Sequence, residues 1–232
     1  MLYRKIEKTI VEHLESKSNK VLLIDGARQV GKTYIVRYAG RKLFENFIEI
    51  NMVEDSLGEK LFEQVKTIED FYLSLSMIAG DKMQQKENTL IFIDEIQEYP
   101  HLLTLLKFLV QDDCFHYIAS GSLLGVALLK TTSIPMGSIQ KVRMFPLDFE
   151  EFLYANGVNE ITISILSKKF KKLESLDESM HYKTMDYFRK FLLVGGMPDA
   201  VNSYLLEKNI VSVRGIQTET PTTEVVGFLT TK

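Results

Sequence analysis

Between a short apolar run and a stretch of helix-forming residues the chain reads Gly26-Ala27-Arg28-Gln29-Val30-Gly31-Lys32-Thr33. The spacing is G-x-x-x-x-G-K-[ST], and few sequence features restrict a fold as tightly. The two glycines let the backbone turn sharply and approach a ligand where a Cβ would clash. The N–H groups of the intervening residues then converge on an anion. Lys32 adds a compact positive charge suited to the outer phosphates of a triphosphate. The Thr33 hydroxyl is placed to ligate Mg²⁺. A helix beginning near Lys32 turns its positive end toward the same point. The pattern requires strand, loop and helix in that order. Val21-Leu22-Leu23-Ile24 has the look of a buried parallel strand. Lys32 to Ala39 reads as the helix, with Ile35 and Val36 apolar and Gly40 as its stop.

A second chemical motif follows. Leu90-Ile91-Phe92-Ile93 is a buried-strand pattern that ends on Asp94-Glu95. Downstream of a phosphate loop this is the Walker B pattern. Asp94 is placed to hold Mg²⁺ through its waters, and Glu95 to polarise an attacking water as general base. Phe115 to Ala119 reads as another strand, ending at Ser120-Gly121-Ser122. Phe47 to Asn51 alternates like a strand, and Gln140 to Phe145 supplies a fifth, closed by Pro146.

Helical spacing accounts for most of the rest. Ile6, Ile10, Val11 and Leu14 lie on one face of residues 3–16. Residues 57–78 carry two helical patterns, one around Leu61 and Val65 and one from Ile68 to Ile78. Residues 101–110 are amphipathic, 123–129 read as a short helix, and 131–137 as a loop with Pro135. Asp148 with Glu151 three residues later makes a capping box, opening a helix that Gly157 stops. Beyond it no strand is expected: a long helix lies within Leu173 to Val194, Gly195-Gly196-Met197-Pro198 breaks it, and another runs from Pro198 to Glu207. The organisation expected is a P-loop nucleotide-binding core over 1–146 and a small helical lid over 147–210. The Thr-rich tail over 211–232 is expected to be poorly ordered or the remnant of a further domain.

Composition narrows the partners. A net charge of −3 and a pI near 5.9 give no global signature of a nucleic-acid binder. Cys114 is the only cysteine, so there is no internal disulfide framework. It reads as a small buried hydrophobe in a reducing compartment. No apolar run approaches a membrane span, and Met1-Leu2-Tyr3-Arg4-Lys5 lacks a signal-peptide core. The expected location is cytoplasmic.

These motifs, together with Ile96-Gln97 after the acid pair, Phe145-Pro146-Leu147-Asp148-Phe149-Glu150-Glu151-Phe152 and Gly195-Gly196-Met197-Pro198, carry a resemblance. The chain resembles a bacterial and archaeal family of AAA-type P-loop ATPases, in which an N-terminal ATPase domain precedes a C-terminal region of unknown function. The likeness covers roughly residues 3–216. It implies an α/β three-layer sandwich whose five-stranded parallel sheet is ordered 5-1-4-3-2, plus the helical lid. In such a sheet Ser120 or Ser122 occupies the position that senses the γ-phosphate. Tyr3 or Arg4 would border the adenine. Relatives often carry Gly-Arg ahead of the fifth strand, where this chain has Gly137-Ser138, with Arg143 a weak substitute. Relatives also continue past this chain's end, so a truncation or a frame-shifted tail is expected from Thr220 onward.

The function expected is Mg²⁺-dependent ATP binding and hydrolysis. Gly26, Ala27, Arg28, Gln29, Val30, Gly31, Lys32 and Thr33 bind phosphates; Thr33 and Asp94 hold the metal; Glu95, Lys32 and Ser120 or Ser122 act in catalysis. A homo-oligomer or a protein partner is the expected assembly. The alternatives are a nucleotide-gated interaction module with little turnover and, less favoured by the Asp94-Glu95 pair, a small-molecule kinase.

Overall fold

The structure is a computed structural model that describes residues 2–16, 18–112, 115–122, 124 and 136–219. Cys114, nearly all of the short helix and loop expected over 123–137, and the tail from Thr220 lie outside the described residues. Two compact units emerge. Of the described residues, one comprises those within Ile6–Ala27 and Gly31–Met144; the other comprises residues 2–5, Arg28–Val30 and 145–219.

The first unit is built on five parallel strands: β1 (Val21–Asp25), β2 (Asn46–Asn51), β3 (Thr89–Asp94), β4 (His116–Gly121) and β5 (Ile139–Arg143). Their order is β2-β3-β4-β1-β5, which is the expected 5-1-4-3-2 taken from the other edge. The inner strands β1 and β3 are buried at every position, as continuous apolar runs in a sheet covered on both faces should be. At one edge, β2 buries Ile48 and Ile50 and leaves their neighbours half-buried. Register sets Asp25 beside Gly121 and Asn51 beside Asp94. The carboxyl ends of four strands therefore meet at one border of the sheet, where ligands bind in open α/β folds.

Helices cover the sheet. α1 (Ile6–Glu15) buries Ile10 and Leu14. α2 (Lys32–Leu43) runs beyond its expected stop, because Gly40 does not end it. A Cβ at Gly40 would stand 2.6 Å from the Phe47 ring and 2.8 Å from Leu90. That glycine lets helix and sheet approach each other, and the turn ends at Phe44 instead. A second difference concerns Leu61 and Val65, which are not helical. α3 (Met52–Leu57) lies just before them, with the Asn51 side chain accepting from the N–H groups of Val53 and Glu54. The Asp55 carboxylate then accepts from Leu61 N (2.9 Å), Phe62 N (3.2 Å) and the Tyr99 hydroxyl (2.9 Å). This holds the segment in turns while Phe62 and Val65 still reach the core. Burial first, and the bond to Asp55 second, push the Tyr99 hydroxyl's pKa upward. α4 (Ile68–Ala79) starts at a Thr67–Asp70 capping box, and α5 (Leu102–Gln111) buries five leucines.

The second unit is helical. Its capping box forms as the sequence implies: Glu151 N donates to Asp148 Oδ1 (2.8 Å) and Asp148 N to Glu151 Oε2 (3.1 Å). The helix Phe149–Ala155 follows, then Glu160–Lys171, Glu178–Val194, Pro198–Glu207 and Ile210–Glu219. Leu147, Phe152, Val194, Val201, Tyr204 and Val213 close one core. Phe152 and Phe191 rings lie 5.3 Å apart within it.

Candidate active site

The loop after β1 is shaped by its neighbours before any ligand is considered. Met144 N donates to the Asp25 carbonyl (2.7 Å), which brings the end of β5 against the start of the loop. A Cβ on Gly26 would collide with the Met144 carbonyl oxygen. Gly26→Ala is therefore expected to lower stability by about 1–3 kcal/mol, the usual cost of forcing extra volume into a packed position. A thermal melt should show the loss as a drop of several degrees; an unchanged melt would mean that β5 retreats freely. Further along, Gln29 (φ 62°) and Gly31 (φ 95°) take left-handed backbone, the kind of turning that points successive N–H groups inward. Lys32 opens α2 and is buried. Its ammonium donates to the carbonyls of Gly26 (3.0 Å) and Ala27 (2.8 Å). Arg28 and Gln29 are exposed, while Val30 is buried.

Arg4, placed near the base by resemblance, is engaged by the protein. Its guanidinium donates from Nη1 to the Val30 carbonyl (2.7 Å) and from Nη2 to the Phe145 carbonyl (2.5 Å). Nε lies 3.3 Å from Glu151 Oε2, at ion-pair distance without hydrogen-bond geometry. Arg4 thus supports the middle of the phosphate loop from within the helical unit. Beside it, Lys5 pairs with Asp148 (2.7 Å) and Glu150 (2.8 Å). Burial alone would lower its pKa, but the two carboxylates outweigh that and raise it to about 12. The Tyr3 ring is half-exposed, 4.6 Å from that of Tyr154.

The acid pair stands at the carboxyl end of β3. Thr33 Oγ1 donates to Asp94 Oδ2 at 2.7 Å, although the two residues are far apart in sequence. Asp94 Oδ1 accepts from the Ser120 hydroxyl and from Glu95 N (3.1 Å). Glu95 itself adopts left-handed backbone, φ 53° and ψ 44°, which for a residue with a Cβ is sparsely populated and concentrated at working sites. Its Oε2 accepts from Gln97 Nε2 (2.5 Å) and, more weakly, from Ser122 Oγ (3.4 Å). The two serines left open by sequence therefore have different partners: Ser120 meets Asp94, and Ser122 meets Glu95. In the sequence, Gln97 stands out only as part of a motif. Its contact with β4 depends on how strands 3 and 4 are paired, which no local pattern encodes.

Thr33 Oγ1 and Asp94 Oδ2 are a hydroxyl and a carboxylate oxygen within reach of one another. That is the hard-oxygen donor set Mg²⁺ selects when it keeps waters and shares a phosphate. The residues present fit the ion.

A parallel sheet in this order, with Gly-x-x-x-x-Gly-Lys-Thr after its first strand and paired acids at the end of its third, defines the P-loop NTPase fold. The chain belongs to the AAA domain family, whose model matches residues 18–153. Among solved structures it is similar to a Walker-type ATPase of Pyrococcus abyssi, at 16% identity and a TM-score of 0.54, over 99% of this chain and 75% of that one. It is also similar to PCH-2 of C. elegans, at 13% identity and a TM-score of 0.51, over 87% of this chain and 62% of that one. At such identities the likeness is one of fold. No curated protein matches the chain. Among the described residues no helix is long and apolar enough to cross a membrane.

Proposed function

We propose that this protein binds ATP with Mg²⁺ and hydrolyses it to ADP and phosphate. The observation that carries this reading is the Thr33–Asp94 contact, which joins the end of the phosphate loop to the acid pair. The backbone of Gly26, Ala27, Arg28, Gln29, Val30 and Gly31 cradles the phosphates, and Lys32 exchanges its loop carbonyls for phosphate oxygens. Thr33 and Asp94 hold Mg²⁺, which when bound neutralises charge on the outer phosphates. Glu95 takes a proton from a water as the water's oxygen attacks the γ-phosphorus. The bond between that phosphorus and the bridging oxygen breaks, and the electron pair leaves with ADP. Ser120 orients Asp94, and Ser122 lies beside the base, where a γ-phosphate would be sensed. A cytoplasmic setting and work in a homo-oligomer or with a protein partner complete the reading.

Gly137-Ser138, standing where the resembling family carries an arginine, favours a second reading: nucleotide binding that gates an interaction with little turnover. Calorimetry with Mg-ATP followed by a single-turnover phosphate-release assay separates the two. Saturable, Mg²⁺-dependent binding with release of phosphate into water supports hydrolysis and rules out a strict need for a phosphoryl acceptor. Binding without release supports the gated module. No binding by either measure removes both.

A further inference from the structure

We propose that Gln97 is the positioning residue for Glu95, and that its side-chain amide connects the general base to the end of strand β4. This deepens the hydrolysis reading above and rests on it.

The amide has two ends and each is occupied. Gln97 Oε1 accepts from the backbone N–H of Ser122 at 3.1 Å. Gln97 Nε2 donates to Glu95 Oε2 at 2.5 Å and lies 3.3 Å from Ser122 Oγ. Oε1 is thereby fixed by main chain, which cannot rotate away as a side chain can. Amide orientation follows from this, because only a nitrogen can donate to the carboxylate once the oxygen has taken the N–H. The path is tight. A Cβ on Gly121 would overlap Gln97 Oε1, so the strand comes as close to the amide as backbone permits.

Glu95 needs such a partner more than most carboxylates do. Its backbone leaves the extended conformation of β3 for the left-handed region, and the short 3-10 turn Ile96–Glu98 carries the chain off immediately afterwards. The described hydrogen bonds to the Glu95 carboxylate come from Gln97 and Ser122 and fall on Oε2. A carboxylate bound through one oxygen presents the other in a defined direction. That is what a base requires in order to meet a water lined up with a phosphorus. The turn also shortens the route: Gln97 is two residues from the base, yet its amide is anchored to a neighbouring strand.

The test is steady-state ATP hydrolysis on the full chain with two substitutions. Gln97→Ala removes both contacts. Gln97→Glu is nearly isosteric and still accepts from Ser122 N, but has no N–H for Glu95 and adds a like charge. Both should lower kcat by about 10- to 100-fold, the scale expected when a reacting group is misaimed, with KM for ATP within about twofold of wild type. Placed on Glu95→Gln, Gln97→Ala should lower the residual rate no further, since there is then no base to aim. A Gln97→Glu kcat equal to or above wild type overturns the proposal, as does a KM that rises in step with the loss of kcat. Full additivity of the two substitutions overturns it too, because Gln97 would then act elsewhere. Hydrolysis absent from the wild-type chain overturns the ATPase reading and this role with it. Hydrolysis present and indifferent to position 97 overturns this role alone.

Discussion

Glu95→Gln should bind Mg-ATP as tightly as the wild-type chain and turn it over about 10²- to 10⁴-fold more slowly, the range attributable to a positioned general base. The substitution is close to isosteric. The new amide oxygen can still accept from Gln97 Nε2 and Ser122 Oγ, which in the wild-type chain reach Glu95 Oε2 at 2.5 and 3.4 Å. Asp94, Thr33 and Lys32 do not depend on it: Thr33 donates to Asp94, and Lys32 to Gly26 and Ala27. Binding and chemistry should therefore separate cleanly, with Kd from calorimetry unchanged and only kcat from phosphate release falling. That combination identifies an interaction made in the transition state alone. Undiminished hydrolysis by this variant would remove Glu95 from the role of base.

Lys32→Ala should fail at the earlier step. The ammonium is buried and bonded to two carbonyls of the loop it belongs to. A β,γ-phosphate pair offers it stronger, charge-assisted partners in the same place. Without it the loop loses its one buried ammonium and leaves backbone N–H groups and a helix end to carry most of the work against several negative charges. A loss of at least about 100-fold in affinity, near 2.7 kcal/mol, is the expected scale. Calorimetry with Mg-ATP measures it directly, and a thermal melt shows whether freeing the Gly26 and Ala27 carbonyls has unsettled the loop. Wild-type affinity in a folded Lys32→Ala chain would mean that the triphosphate binds somewhere else.

Much of this arrangement was legible in the residues themselves, for identifiable reasons. A fully buried parallel strand has to be apolar along its length, so β1 and β3 were visible as Val21 to Ile24 and Leu90 to Ile93. The capping box at Asp148–Glu151 is a local hydrogen-bond device, and local devices leave local signatures. Gly40 misled because a glycine near a helix end and one beneath a crossing strand look alike in sequence. The Phe47 ring and the Leu90 side chain against it tell them apart. Leu61 and Val65 have helical spacing and point into the core, yet Asp55, several residues earlier, captures the local backbone N–H groups and imposes turns. In the site, the phosphate loop and the acid pair are contiguous motifs and could be read. The division of labour between Ser120 and Ser122, the hold of Arg4 on Val30 and the bridge made by Gln97 join segments distant in sequence, and spacing carries no trace of them.

The left-handed turn at Glu95 sets chemistry and durability at odds. A side chain with a Cβ costs roughly 1 kcal/mol in that conformation, whereas asparagine enters it readily. A Glu95→Asn chain would shed that backbone cost, but its shorter side chain would also give up the bond from Gln97, and on the proposed mechanism it would have nothing to accept a proton. A lineage that keeps glutamate there accepts a slightly softer turn in exchange for that bond and, on the proposed mechanism, for reactivity.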